Sequence, residues 1–349
     1  MDDPNSSAPA GSLTHHALNQ NESLESFSTS DLFAELIKRT CSGSKAESEE
    51  HAFLSHQLWT NLRSFSDVHL NRHSTTNLKN LYFALVRPVA LLLDSAHRLP
   101  IKDATWVELG CGSINPWSFS FLLLAMGAKQ AIPIDLDPVG DSKSACLTLV
   151  EVAKSIFANP VSIIGYGDSA KITRREILNN LYGFDLEKLG KGLVSGIPKS
   201  RLSYRLESVY EMTVPKASVD VVVSMSFLEH VPDVDGAVAA IAGITRPGGY
   251  GVHRIDTIDH WSYGHSEIGP LDFLTIDSDE PLIHGCNRLR PKEFIAIFEK
   301  HGFEVLDASY GNLVSLTDDQ RSAFIPPWSL MPIEDLKPTV LDIAVRLRK

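Results

Sequence analysis

From residue 104 onward, short apolar runs alternate with segments whose apolar positions recur every three or four residues. Apolar runs bounded by Gly, Pro or Asp read as buried strands, and the three-to-four period reads as helix. Strands are expected at 105–109, 131–135, 203–207, 219–224 and 250–256, with helices near 116–126, 142–157, 234–244 and 291–301. Two further strands are expected at 303–309 and 340–348. Strands that alternate with helices build a mostly parallel sheet covered on both faces. Two stretches break the alternation and read as insertions, 160–200 and the polar, aromatic segment 257–290.

The first hundred residues differ in texture. Residues 1–49 form a polar tail expected to be disordered, apart from a short amphipathic helix in "DLFAELIKRT". Residues 50–65 and 76–97 show helical spacing, the second through Leu78, Leu81, Tyr82, Leu85, Val89, Leu92 and Leu93. Pro88 is expected to kink that helix and Pro100 to end it. Residues 50–100 therefore read as a helical cap ahead of an α/β domain spanning 101–349.

Composition narrows the function classes. A net charge of −11 argues against a surface that tracks nucleic-acid phosphates. No apolar run approaches the roughly 20 residues of a membrane span, so no membrane partner is expected. Asp2 and Asp3 stand where a signal peptide would carry basic residues. The four cysteines (Cys41, Cys111, Cys146, Cys286) form no CxxC pair, which fits a reducing, cytoplasmic compartment and no cysteine-rich metal site. The oligomeric state leaves no mark in the sequence.

The first strand ends in "ELGCGS". Gly110 and Gly112 permit a tight turn and a close approach of backbone to ligand, and Asn115-Pro116 is expected to open a helix with its N–H groups aimed there. The second strand ends in "PIDLDP", with Asp135 and Asp137 on one side by period two. One carboxylate there suits a ribose diol, accepting from both hydroxyls. The dinucleotide fingerprint wants glycine at its first, third and sixth positions, and in "GCGSIN" Asn115 occupies the sixth. An NAD-linked oxidoreductase is thus a minor alternative.

Taken in order, "VELGCGS", "PIDLDP", "VDVVVSMSFLEHVPD" and "RPGGY" resemble the successive motifs of class I S-adenosylmethionine-dependent methyltransferases. The resemblance implies a Rossmann-like doubly wound seven-stranded α/β sheet, mostly parallel with a C-terminal antiparallel strand, and S-adenosylmethionine as cofactor. By position, Glu108, Gly110, Cys111 and Gly112 match the loop around the methionine part of the cofactor, and Asp135 with Leu136 matches the ribose-binding strand end. Ser208 and Val209 match the adenine position, where the family often has an acid; Glu207 stands beside it. Ser226 and Phe227 match the stretch flanking the sulfonium, and Ile114 replaces the third glycine of the common loop.

The later segments resemble a bacterial subgroup of these enzymes with a "HxIDxxDH" strand end and an "NRLR" stretch. In "GVHRIDTIDHWSYGH", Arg254 and Asp256 share one strand face and His253 takes the other. A histidine titrates near neutrality, so His260 is the candidate general base, with Asp256 or Asp259 orienting its ring. Candidate acceptor-contacting residues are His230, Arg254, Trp261, Tyr263 and Arg288, the last with Arg290 as a grip on an anionic group. A second reading has His253, Asp256, Asp259, His260 and His265 holding a divalent ion, but the spacing matches no strict ligand pattern, and no metal is the primary expectation. The expected reaction is methyl transfer to an oxygen or nitrogen of a small molecule. The alternative is a methyltransferase-like scaffold that binds cofactor or a protein without turnover.

Overall fold

In the computed structural model, residues 99–158 and 172–349 are described. The expected tail, the helical cap and the first part of the 160–200 insertion lie outside them. Strands β1 (Thr105–Leu109), β2 (Gln130–Asp135), β3 (Arg205–Leu206), β4 (Val219–Met225), β5 (Thr245–Asp256), β6 (Phe303–Leu313) and β7 (Pro338–Leu347) form one sheet in the order β3-β2-β1-β4-β5-β7-β6. The first five pair in parallel, and β7 runs antiparallel to both β5 and β6. This is the expected Rossmann-like doubly wound sheet. The winding reverses between β1 and β4, and ligands bind beyond the strand ends at such a point.

Period two decides which core each strand residue joins. Trp106, Val221, Val223 and Val252 face one hydrophobic cluster. Val107, Leu109, Val222 and Ile255 face the other. The first cluster is covered by α1 (Ser118–Ala125), α2 (Ser142–Ala158), α3 (Arg174–Asn180) and α4 (Leu186–Gly190). All eight residues of α1 are buried, as befits a helix that is apolar all round. The second cluster is covered by α5 (Val234–Ile244) and α6 (Pro291–Lys300). Asp233 caps α5 by accepting from the Gly236 N–H at 2.9 Å. Pro291 opens α6, and the Glu293 carboxylate accepts from the Arg290 N–H at 2.8 Å.

Several boundaries differ from the sequence reading. The helix after the glycine loop begins at Ser118 rather than 116, because a tight turn comes first, with the Ser118 N–H on the Asn115 carbonyl at 3.2 Å. Strand β3 keeps only two residues, while β5 begins five residues early at Thr245 and β6 runs on to Leu313. Between β6 and β7 the chain adds two short helices, α7 (Asp318–Ser322) and α8 (Ile333–Leu336), which the periodicity did not announce. They close a third, smaller core in which Phe324, Trp328 and Leu336 meet Leu271, Phe273, Leu274 and Cys286 of the 257–290 segment. Among the described residues no helix is long and apolar enough to cross a membrane.

Candidate active site

The glycine loop is built by its backbone. Gly110 and Gly112 adopt φ of +69° and +74°, the left-handed region that glycine enters without penalty. A Cβ on Gly110 would lie 2.6 Å from Phe227 Cδ2, so loop and β4 turn are packed to glycine size. A Cβ on Gly112 would meet nothing within 4 Å, which leaves space in front of the loop. Asp135 fixes the geometry: its Oδ2 accepts from the Gly112 N–H at 2.7 Å and its Oδ1 from the Asp137 N–H at 3.0 Å. Each oxygen retains a lone pair for a further donor.

Glu108 sits under this loop and accepts from the Ser120 hydroxyl at 2.7 Å. Burial pushes its carboxyl up to about 7; the Ser120 hydrogen bond opposes that rise and Asp135 adds to it. Burial, with Glu108 and Asp135 adding, also keeps the Cys111 thiol protonated. Leu136 is exposed and apolar, and Val209 is buried beside the β2–β3 edge. Ser208 is engaged locally, accepting from the Tyr210 N–H at 3.3 Å, and Glu207 turns away to accept from the Thr213 N–H at 2.9 Å. Ser226 holds φ of +48° and donates its N–H to the Arg254 carbonyl at 2.9 Å. The buried Asn115 Oδ1 has no hydrogen-bond partner. A pair of positive-φ glycines with open space ahead, a carboxylate under the loop and a second at the β2 end fit a cofactor bearing an ammonium and a ribose diol.

Beyond β4 and β5 lies a second cluster. His230 Nδ1 is 2.8 Å from the Gly285 carbonyl and 4.0 Å from Cys286 Sγ. The His230 and His260 rings meet edge to face at 4.8 Å, and His260 and Tyr263 lie 5.4 Å apart. His260 Nε2 lies 3.8 Å from Asp256 Oδ2, which also accepts from the Tyr263 hydroxyl. Burial raises the Asp256 carboxyl, the Tyr263 hydrogen bond opposing it. Behind Asp256, Glu229 is fully buried; its Oε1 accepts from the Asp256 N–H at 3.1 Å and its Oε2 has no hydrogen-bond partner.

The structure brings His230, Asp256, His260 and Tyr263 together, and it places other candidates elsewhere. Asp259 is fully buried and serves His284, whose Nδ1 lies 2.9 Å from both of its oxygens. Trp261 is buried face to face on the His284 ring at 3.8 Å. Arg254 pairs with Asp342 on β7 at 3.6 Å. Arg288 donates to the carbonyls of Ile276 and Ser278 at 2.6 and 2.8 Å, and Arg290 to those of Thr257 and Pro338 at 2.6 and 2.9 Å. Both guanidinium groups thus bind backbone. His253 lies on the buried face of β5, 2.8 Å from Ser224 Oγ, and burial drives its pKa down to about 3. His265 pairs with Glu267 at 3.3 Å. The five-residue metal set read from the sequence is therefore not assembled. Sequence reasoning missed Glu229, His284 and Cys286 as site residues, because no periodicity links them to residues 256–260.

Residues 164–252 match a family model described as "Methyltransferase domain". A curated probable S-adenosylmethionine-dependent methyltransferase of Mycolicibacterium smegmatis is 27% identical over 151 residues, 39% of this chain and 54% of that protein. The chain thus spans about half the length of that relative. Among solved structures, a putative S-adenosylmethionine-dependent methyltransferase from Listeria monocytogenes shares 12% identity at a TM-score of 0.40, covering 76% of this chain and 99% of that one. One from Mesorhizobium loti shares 15% at 0.40, covering 75% and 97%. Over part of its length the chain is thus similar to S-adenosylmethionine-dependent methyltransferases.

Proposed function

We propose that the protein transfers a methyl group from S-adenosylmethionine to an oxygen or nitrogen of a small-molecule acceptor. The observation that carries this reading is the Asp135 carboxylate holding the Gly112 N–H at 2.7 Å. That bond sets the loop open beside the β2 acid, in the arrangement a nucleoside with an amino-acid tail needs. Glu108 lies where an α-ammonium would neutralise it, Asp135 meets the ribose hydroxyls, and Leu136, Ser208 and Val209 border the base. Ser226, Phe227, Gly110 and Cys111 wall the path to the sulfur. The bound cofactor supplies a methyl carbon already activated by positive sulfur. The chain then has mainly to align the acceptor, an effect worth several kcal/mol. His260 takes the acceptor's proton, with Asp256 at 3.8 Å steadying the ring. His230 and Tyr263 shape the space around the acceptor. The net charge of −11 speaks for a small acceptor over a nucleic acid.

Calorimetric titration with S-adenosylhomocysteine beside NADH tests the cofactor half. Micromolar binding of the first alone supports the reading, and binding of NADH alone would restore the oxidoreductase. His260→Ala is expected to keep cofactor binding and lose turnover; full activity in that variant would remove the base from His260. A cofactor-binding scaffold without turnover remains the second reading, favoured by Ser208 at the adenine position and Ile114 in the loop. Cofactor turnover with any acceptor eliminates it.

A further inference from the structure

Asp259 and His284 meet across 25 residues of sequence. The Asp259 carboxylate is fully buried, and donors surround it. Its Oδ1 accepts from the Trp261 N–H and its Oδ2 from the Phe273 N–H, each at 3.0 Å, while His284 Nδ1 lies 2.9 Å from both oxygens. A carboxylate so placed selects the Nδ1–H tautomer of the ring. Trp261 then covers that ring face to face, 3.8 Å away and within 5° of parallel. One carboxylate thereby joins three segments: the turn after β5, the stretch around Phe273 and the returning "HGCN" loop.

The loop that delivers His284 is a tight turn. Ile283 and Cys286 exchange backbone hydrogen bonds at 2.9 and 3.0 Å, and the two residues between them, His284 and Gly285, hold φ of +53° and +79°. Such two-residue turns favour Asn-Gly, and a non-glycine residue at positive φ is uncommon. Turn chemistry therefore accounts for Gly285 but does not single out histidine over asparagine at 284. The reach of the ring to Asp259 does. Both histidines of the acceptor cluster depend on this junction. His260 stands between Asp259 and Trp261, the two residues tied down on the β5 side. His230 Nδ1 donates to the carbonyl of Gly285, the residue after His284, at 2.8 Å.

We propose that His284 is a positioning residue: by holding Asp259 it locks the turn that carries His260 and the loop carbonyl that orients His230, and so fixes both rings for the acceptor. The consequence for catalysis rests on the methyl-transfer reading, in which His260 takes the acceptor's proton. That transfer needs heavy atoms within about 2.6–3.2 Å of each other. A misplacement of about 1 Å, even one caused at a distance, costs about a hundredfold in rate. With three donors on it, Asp259 holds its neighbours to one arrangement. Removing the imidazole takes one donor from a buried carboxylate and the stacking partner from Trp261, and the His260 turn is then free to shift. His284 itself moves no proton in this scheme.

The test compares His284→Gly with His284→Asn in the full-length protein, with histidine labelled at Cε1 for NMR and the His260 signal assigned through His260→Gln. Both replacements suit a left-handed backbone, but only asparagine keeps a side-chain N–H donor. Val222→Ala, in the second core of the sheet, controls for lost stability alone. Expected in His284→Gly are a shifted or split His260 ring signal and amide exchange at Trp261 and Phe273 at least about tenfold faster. In His284→Asn the signal should return and exchange stay within about threefold of wild type. An unmoved His260 signal in His284→Gly overturns the proposal, and so does a signal moved as far by Val222→Ala. With any acceptor that wild type methylates, kcat should fall at least about tenfold in His284→Gly and recover in His284→Asn, with KM for S-adenosylmethionine within about threefold throughout. Turnover lost equally in a well-ordered His284→Asn overturns it too, because His284 would then take the proton itself. S-adenosylhomocysteine titration of wild type is read alongside. Lack of binding there counts against the methyltransferase reading, while the ring signal and the exchange rates still decide the junction.

Discussion

In the proposed function Glu108 trades stability for binding. Its carboxyl is raised from 4.5 to about 7 in the fold, chiefly by burial. A carboxyl raised on folding stabilises fully below its unfolded value, and that contribution is lost as pH climbs through the folded one. Glu108→Gln removes the charge that burial penalises, so it should melt above wild type at pH 8 and level with it near pH 5. A lower melting temperature at pH 8 would mean that the carboxylate is already compensated in the free protein. The same residue predicts a binding profile. An ammonium beside Glu108 favours the carboxylate, so below pH 7 a proton must leave on binding. S-adenosylhomocysteine affinity should then fall by up to about tenfold per pH unit as pH drops below 7, and stay flat above it. A flat profile across that range would separate Glu108 from the ammonium. Asp135→Ala should weaken cofactor by about tenfold or more, since it removes a charged acceptor from the diol and unpins Gly112. Equal affinity in calorimetry would move the ribose away from β2.

Arg290 acts at the scale of elements. Its fully buried guanidinium donates to the Thr257 carbonyl after β5 and the Pro338 carbonyl that starts β7, at 2.6 and 2.9 Å. Burial lowers its pKa to about 10, which leaves it charged at neutral pH. Replacing it with Leu strands two buried carbonyls at about 1–3 kcal/mol each, so a loss of roughly 3 kcal/mol or more is expected in urea melts. A loss within experimental error would show that water replaces it. The sequence displayed "NRLR" as a motif but could not display its task. Strand and helix periods are local, so Val219–Met225 and Val234–Ile244 were legible from their own residues. The carbonyls that the Asn287, Arg288 and Arg290 side chains donate to lie between 10 and 59 residues away, at the ends of elements and in turns and loops, where no period exists to read. The pairing of Asp259 with His284 across 25 residues was hidden for the same reason, which is why Asp259 looked like a partner for its neighbour His260.

At the scale of the molecule, the two halves of the site stand on different foundations. The proposed cofactor half, from Glu108 to Asp135, rests on the parallel sheet, and its position at the reversal between β1 and β4 follows from strand order alone. The proposed acceptor half rests on the 257–290 segment, held by the third core with residues from 324 to 336. That second foundation was outside the reach of sequence patterning, since it consists of short turns closed by a few large side chains. Phe273 is its centre: the ring is fully buried, and its backbone N–H reaches Asp259 Oδ2 at 3.0 Å. Phe273→Ala should therefore loosen one half more than the other. Expected are a destabilisation of about 3–5 kcal/mol, faster hydrogen exchange over 257–290 and 314–336, and cofactor affinity within about threefold of wild type. Turnover should fall with the loosened segment, because the acceptor-side residues would lose their fixed positions. If cofactor affinity fell as steeply as stability, the two halves would share one cooperative core, and acceptor specificity could not change without disturbing the cofactor.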